Sequence, residues 1–97
     1  MAEGRFLNNI EQGRFEYHLT DGFAFGRYKI AGNVLILQQV EVPEELRGRG
    51  IASKVMEEIM DFMQSRHKSK GLKIQPFCSY ARSWLEKHPE FHDITEF

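Results

Sequence analysis

Two periodicities divide the chain. From Gly13 to Leu19 (Gly13-Arg14-Phe15-Glu16-Tyr17-His18-Leu19) apolar and polar side chains alternate, as in a strand with one buried face, and Thr20-Asp21-Gly22 follows as a turn. Phe23 to Ile30 alternates again, and Ala31-Gly32-Asn33 supplies a second tight turn, because glycine and asparagine tolerate positive φ. Val34 to Val42 is the most apolar and β-branched run, which predicts a central strand ended by Pro43. Three strands joined by tight turns predict an antiparallel meander.

Beyond Pro43 the period becomes helical. Ala52, Val55, Met56, Ile59, Met60, Phe62 and Met63 recur at helical spacing, with Lys54, Glu57, Glu58 and Asp61 on the other face. Arg66, His67, Lys68 and Lys70 suit the negative end of the helix dipole, and Gly71 is the predicted stop. The methionine stripe stays at core spacing throughout, which reads as packing rather than a partner groove. Leu72 to Phe77 predicts a short strand with Pro76 at its end. Cys78 to Lys87 predicts a second helix, with Tyr80, Ala81, Trp84 and Leu85 on one face. His88-Pro89 closes it, and Phe91 and Ile94 are expected to fold back onto the core.

A strand, a helix and a strand in this order require a crossover, right-handed in nearly all known cases. The expected fold class is therefore α+β: a meander leading into one βαβ unit, with a second helix closing the sheet.

Composition narrows the class. With 97 residues, no internal repeat and no linker, the chain is expected to be one domain over 1–97. The 41% hydrophobic and 28% charged fractions suit a globular protein. Thirteen Lys+Arg against fourteen Asp+Glu leave a net charge of −1, which disfavours a dedicated nucleic-acid binder. One cysteine, Cys78, excludes an internal disulfide framework and a cysteine-based zinc finger. Met1-Ala2-Glu3-Gly4-Arg5 lacks a basic-then-apolar leader pattern, and no apolar run approaches the roughly 20 residues that span a bilayer. A cytoplasmic protein is the expectation. After the core is assigned no long apolar stripe remains, so a monomer is expected too.

The chemistry concentrates in Val40-Glu41-Val42-Pro43-Glu44-Glu45-Leu46-Arg47-Gly48-Arg49-Gly50-Ile51-Ala52-Ser53: a strand, a Gly/Arg loop, then a helix. Glycines let several backbone N–H groups converge, and a helix N-terminus adds unsatisfied donors and partial positive charge. With Arg47 and Arg49 nearby, this is an anion site suited to phosphate or pyrophosphate. A Walker loop is excluded, since its Gly-Lys-Ser/Thr ending is absent. A dinucleotide fingerprint lacks its third small residue and needs a larger sheet. A plain Gly-rich turn with two solvated arginines remains the alternative on residue pattern alone.

The same residues resemble a known family. Arg47-x-x-Gly50-x-Ala52 is similar to the Q/R-x-x-G-x-G/A signature of the GNAT acetyltransferase superfamily. Val42 to Ser53, Gly71 to Tyr80 and His88-Pro89-Glu90-Phe91 together resemble its small single-domain members of about a hundred residues, from about Tyr28 to Ile94. The resemblance implies acetyl-CoA (coenzyme A) as cofactor and transfer of its acetyl group to an amine or protein acceptor. It implies a GNAT-like core in which the two parallel strands splay, with pantetheine amides against backbone near Val40 and Val42. It also implies pyrophosphate on the N–H groups from Arg49 through Gly50, Ile51 and Ala52 to Ser53, beside Arg47 and Gly48. The helices that larger members use at the acceptor site are missing, which implies an open acceptor face.

Cys78 falls where the second parallel strand should give way to a helix, whose N-terminus stabilises a thiolate. In the resembling family this position lies near the acetyl group, so Cys78 either accepts the acetyl or lines the thioester pocket. Tyr80 is the candidate proton donor to the departing thiolate, and Glu41 the candidate base. Many relatives have a histidine where this chain has Gln39, and glutamine is no base at neutral pH. In His88-Pro89-Glu90-Phe91-His92 the glutamate is in the wrong place for a zinc-protease helix and Pro89 breaks it, so no metal is expected. His18 and His67 read as a surface residue and a dipole-matched cation. Two rival functions remain: an acetyl-CoA-binding sensor or adaptor without catalysis, and a nucleic-acid module built on Arg-Gly-Arg-Gly with aromatic strands.

Overall fold

The computed structural model describes residues 4–97; of the N-terminal stretch read for targeting signals, residues 1–3 lie outside it. The sheet has five strands in sequence order: β1 (Arg5–Asn9), β2 (Arg14–Leu19), β3 (Gly22–Ala31), β4 (Val34–Glu41) and β5 (Lys73–Pro76). The first four form an antiparallel meander, and β4 and β5 run parallel across the crossover helix α1 (Ile51–Lys70). Helix α2 (Ser79–Glu86) follows, then a 3-10 segment at Pro89–Ile94. The expected α+β plan is the one observed, with three differences.

The meander has four strands rather than three. Arg5-Phe6-Leu7-Asn8-Asn9 has two adjacent apolar residues and two asparagines, so it carries no period-two signal. It becomes a strand by pairing with β2, from Arg5 opposite His18 to Asn9 opposite Arg14, while Phe6 stacks on Phe15 at 5.5 Å. Val34–Val42 was expected to be central; β4 is interior but fourth of five, because β1 extends the far side. Finally, the exposed edge of β5 is closed by the tail rather than by α2. Glu96 N–H donates to Ile74 C=O at 2.7 Å and Thr95 bridges Ile74.

Packing follows the two periods. Phe15, Tyr17, Ala24, Tyr28, Leu35, Leu37 and Ile74 form the buried side of the sheet. Against them lie Val55, Met56, Ile59, Met60 and Met63 of α1, Ala81, Trp84 and Leu85 of α2, and Phe91 and Ile94 as expected. Each Val, Leu, Ile, Phe or Met among them contributes about 1.5–3 kcal/mol on burial, far more than the helix propensity differences along α1. Gly26 lets sheet and helix approach: a Cβ there would sit 3.0 Å from Ile59 Cδ1 and 3.3 Å from Leu37 Cδ1. The sheet's other face carries Arg14, Glu16, His18, Phe23, Phe25 and Arg27, none of which joins that core.

Candidate functional site

Parallel pairing between β4 and β5 covers only Val34–Leu37, and its last rung is Phe77 N–H to Leu37 C=O at 2.9 Å. Beyond it, β4 continues with β3 alone as partner, through a bulge: Tyr28 faces Leu37 but Arg27 faces Gln39, leaving Gln38 as the extra residue. The bulge decides where the free backbone points. Tyr28 N–H donates to Gly13 C=O on the β2 side at 2.9 Å, so Gly26, two residues away, also faces β2. Its partner Val40 therefore turns its N–H and C=O away from β3, into the gap left by β5. Without the bulge these groups would face β3.

The chain then turns through Pro43 and a 3-10 turn at Glu44–Leu46, with Leu46 fully buried as its anchor. Gly48 (φ 80°) and Gly50 (φ 72°) take the left-handed conformation that favours glycine. Gly50 is the N-cap of α1 and supplies no side-chain acceptor. The first intrahelical bond is Lys54 N–H to Gly50 C=O at 3.2 Å, so the N–H groups of Ile51, Ala52 and Ser53 emerge free at the positive end of a 20-residue helix.

A depression of about 170 Å³ opens here, and it brings together most of the expected site residues: Val42, Arg47, Gly48, Gly50, Ile51, Ala52, Ser53 and Tyr80. Arg47 is positioned by its Nε, which donates to Val42 C=O at 3.0 Å. Arg49 is not part of the lining. It turns to the β2–β3 corner, where it pairs with Asp21 at 2.6 Å and donates to Glu45 C=O at 3.2 Å. Hydrogen bonding from Arg49 holds the Asp21 carboxyl below the usual carboxylate range. Cys78 is the N-cap of α2 and only 7% exposed, whereas Tyr80 is 39% exposed and faces the depression. Glu41 is exposed, and as the neighbour of the inward Val40 it stands on the helix-free face opposite Phe25.

Partial burial pushes the Tyr80 phenol up from its ordinary value; the Ser53 hydroxyl works against this, and the nearby Cys78 adds to the rise. Tyr80 therefore keeps its proton throughout the physiological range. Trp84 is a residue that the sequence reading left in the core alone. Its indole N–H donates to Ser53 Oγ at 2.9 Å and ties α2 to the first turn of α1. A tryptophan on the apolar face of a short helix gives no sign of that bond; only its need for an acceptor when buried could have suggested one.

A family model describing the GCN5-related N-acetyl-transferase matches residues 14–94. The chain belongs to this family. The matched stretch includes the Gly/Arg loop, the end of β4–β5 pairing, Cys78 and Tyr80. No curated protein matches the chain. Members of the GCN5-related family generally bind acetyl-CoA and use it with an acceptor substrate. No helix among the described residues is long and apolar enough to cross a membrane.

Further polar anchors lie on the helix-free face and at the end of α1. Glu16 is 5% exposed on the helix-free face, where it accepts from Arg14 Nε at 2.6 Å, His18 Nε2 at 2.8 Å and Asn9 Nδ2 at 2.9 Å. His18, expected at the surface, keeps 36% of its side chain exposed while it joins this cluster and stacks on Phe23 at 4.7 Å. His67 directs Nδ1 at Leu72 C=O (3.2 Å), so it braces the helix end as well as matching its dipole.

Proposed function

We propose that the protein binds acetyl-CoA in the gap between β4 and β5 and transfers its acetyl group directly to an amine. The observation that carries this reading is the glycine-built cradle. Gly48 and Gly50 at positive φ and three free N–H groups at the start of α1 lie within a few residues of the point where β4 loses its partner. These residues fit a pyrophosphate, and the Val40 backbone groups facing the gap fit the pantetheine arm. In this reading Ile51, Ala52 and Ser53 donate backbone bonds to phosphate oxygens, and Arg47 adds charge from the rim. Arg49 acts indirectly, by fixing the loop to Asp21.

Bound acetyl-CoA supplies an activated thioester carbon. Tyr80 Oη holds a proton where a leaving thiolate needs one, and its raised pKa keeps that proton in place at neutral pH. Cys78, at 7% exposure and outside the lining of the depression, does not carry the acetyl group in this reading. The acceptor approaches from the helix-free face, where Glu41 stands on the part of β4 that β5 does not pair and attracts a cationic group of the acceptor other than the reacting amine. Among the described residues no histidine or carboxylate lines the depression, so the amine arrives already deprotonated. Turnover is then expected to rise with pH toward the amine's own pKa.

Acetyl-CoA titrated into 15N-labelled protein should move the amides of Gly48–Lys54; unmoved amides there would overturn the binding half. Incubation with an amine panel then reads transfer. Tyr80→Phe is expected to lower kcat about 10–100-fold with little change in KM. Cys78→Ala is expected to retain turnover, and an acetyl group found on Cys78 by intact mass would reverse its assignment. The same lack of a lining base favours a second reading, acetyl-CoA binding without transfer, which tight binding with no product on any amine would select.

A further inference from the structure

We infer that the opposite end of the molecule holds a second binding site, for a small amphipathic carboxylate. It lies at the C-terminus of α1, about 30 Å along the helix axis from the Gly/Arg loop at its N-terminus. A cleft of about 500 Å³ opens there between the last turns of α1, the Ile10–Gln12 corner and the tip of the β3–β4 hairpin. That volume is within the roughly 300–1,000 Å³ typical of small-molecule sites.

The composition of this cleft suits neither a core nor a solvated helix end. Ile10 and Ile30 stand on its rim at 76% and 55% exposure, with Phe62 and Leu72 beneath them. Such aliphatic exposure is costly at two facing positions, and nothing within the described chain covers it. Across from them, Arg66 and Lys70 extend the stripe of Phe62 at intervals of four, where the helical repeat would otherwise bring apolar side chains. The Arg66 guanidinium lies over the Phe62 ring at 4.7 Å. Neither cation meets a carboxylate among the described ion pairs, and no Asp or Glu lines the cleft.

Matching the helix dipole does not explain both cations, since His67 and Lys68 also occupy that turn and Gly71 N–H already bonds His67 C=O at 2.8 Å. At the base of the cleft Tyr28 Oη donates to Asn8 Oδ1 at 2.6 Å, so the phenol proton already has its acceptor. Two unpaired cations over an apolar basin complement one ligand chemistry: an alkyl or aryl body bearing a carboxylate, its anion on Arg66 and Lys70 and its body between Ile10, Ile30 and Leu72. This assignment stands independently of acetyl-CoA binding at the other end.

Octanoate is the probe, titrated into the 15N-labelled full chain, with octanol and octylamine as controls of equal length. Saturable shifts are expected at Ile10, Ile30–Asn33 and Arg66–Leu72, with Gly48–Lys54 unmoved and both controls at least about tenfold weaker. Arg66→Gln with Lys70→Gln should weaken octanoate about tenfold and leave distant amides in place. Ile10→Asp, at an open position that packing does not constrain, should weaken it as well. Equal shifts from octanol, shifts spread over the whole surface, or none at these amides would overturn the site.

Discussion

Gly48 and Gly50 show what a single residue contributes here. A Cβ at either position meets no atom within 4 Å, so the demand for glycine comes from φ alone. Gly50→Ala should cost about 1–2 kcal/mol in denaturant unfolding, and it should weaken acetyl-CoA binding by tilting the free N–H groups of α1. Glu16 is the other decisive residue. Burial alone would raise its carboxyl, but bonds from His18, Arg14 and Asn9 together outweigh that and hold it at about 2, against 4.5 for an ordinary glutamate. Because the folded value is the lower one, its stabilisation is complete above about pH 4.5 and lost as pH falls toward 2. Glu16→Gln should cost about 1–3 kcal/mol at pH 7 and flatten that acid limb in chemical denaturation. The alternation of Arg14, Glu16 and His18 put them on one face in the sequence. Nothing in the pattern showed that Asn9, from an unrecognised strand, would help bury the carboxylate among donors.

Elements set the site by where they stop. Pairing of β5 ends at Pro76, and the bulge at Gln38 turns Val40 toward the space so created. Strand boundaries near a proline were legible; the bulge was not, because one extra residue leaves the apolar run looking continuous. The backbone course of the loop after β4 was legible, since its glycines and the helix that follows carry local signals. Arg49's pairing with Asp21 was not, because 28 residues separate them in the chain and only the β2–β3 corner brings them together. Between sheet and helix, Gly26→Val is expected to push α1 away from β3 and cost about 1–3 kcal/mol. Thermal unfolding would register that loss as a lower Tm, with weakened acetyl-CoA binding as a consequence if α1 shifts its N-terminus.

For the molecule as a whole, stability and ligand binding are linked. A ligand held by the folded cradle alone adds RT ln(1 + [L]/Kd), so acetyl-CoA at one hundred times its Kd should contribute about 2.7 kcal/mol. Arg47→Ala should shift the Tm rise to higher acetyl-CoA concentration while leaving the ligand-free Tm nearly unchanged, because Arg47 is exposed and its side chain's one hydrogen bond is to Val42 C=O. Differential scanning fluorimetry across acetyl-CoA concentrations checks both. Local patterning by itself determined the α+β class, the order of the elements after Gly13 and the Gly/Arg loop leading into α1, since period, turn residues and helix ends act over a few residues. Tertiary structure alone decided the fourth antiparallel strand, the direction of the Val40 amide, the choice of Tyr80 over Cys78 as the residue facing the depression, and the burial of Glu16. Each of these depends on contacts between segments distant in the chain, whose geometry no local pattern encodes.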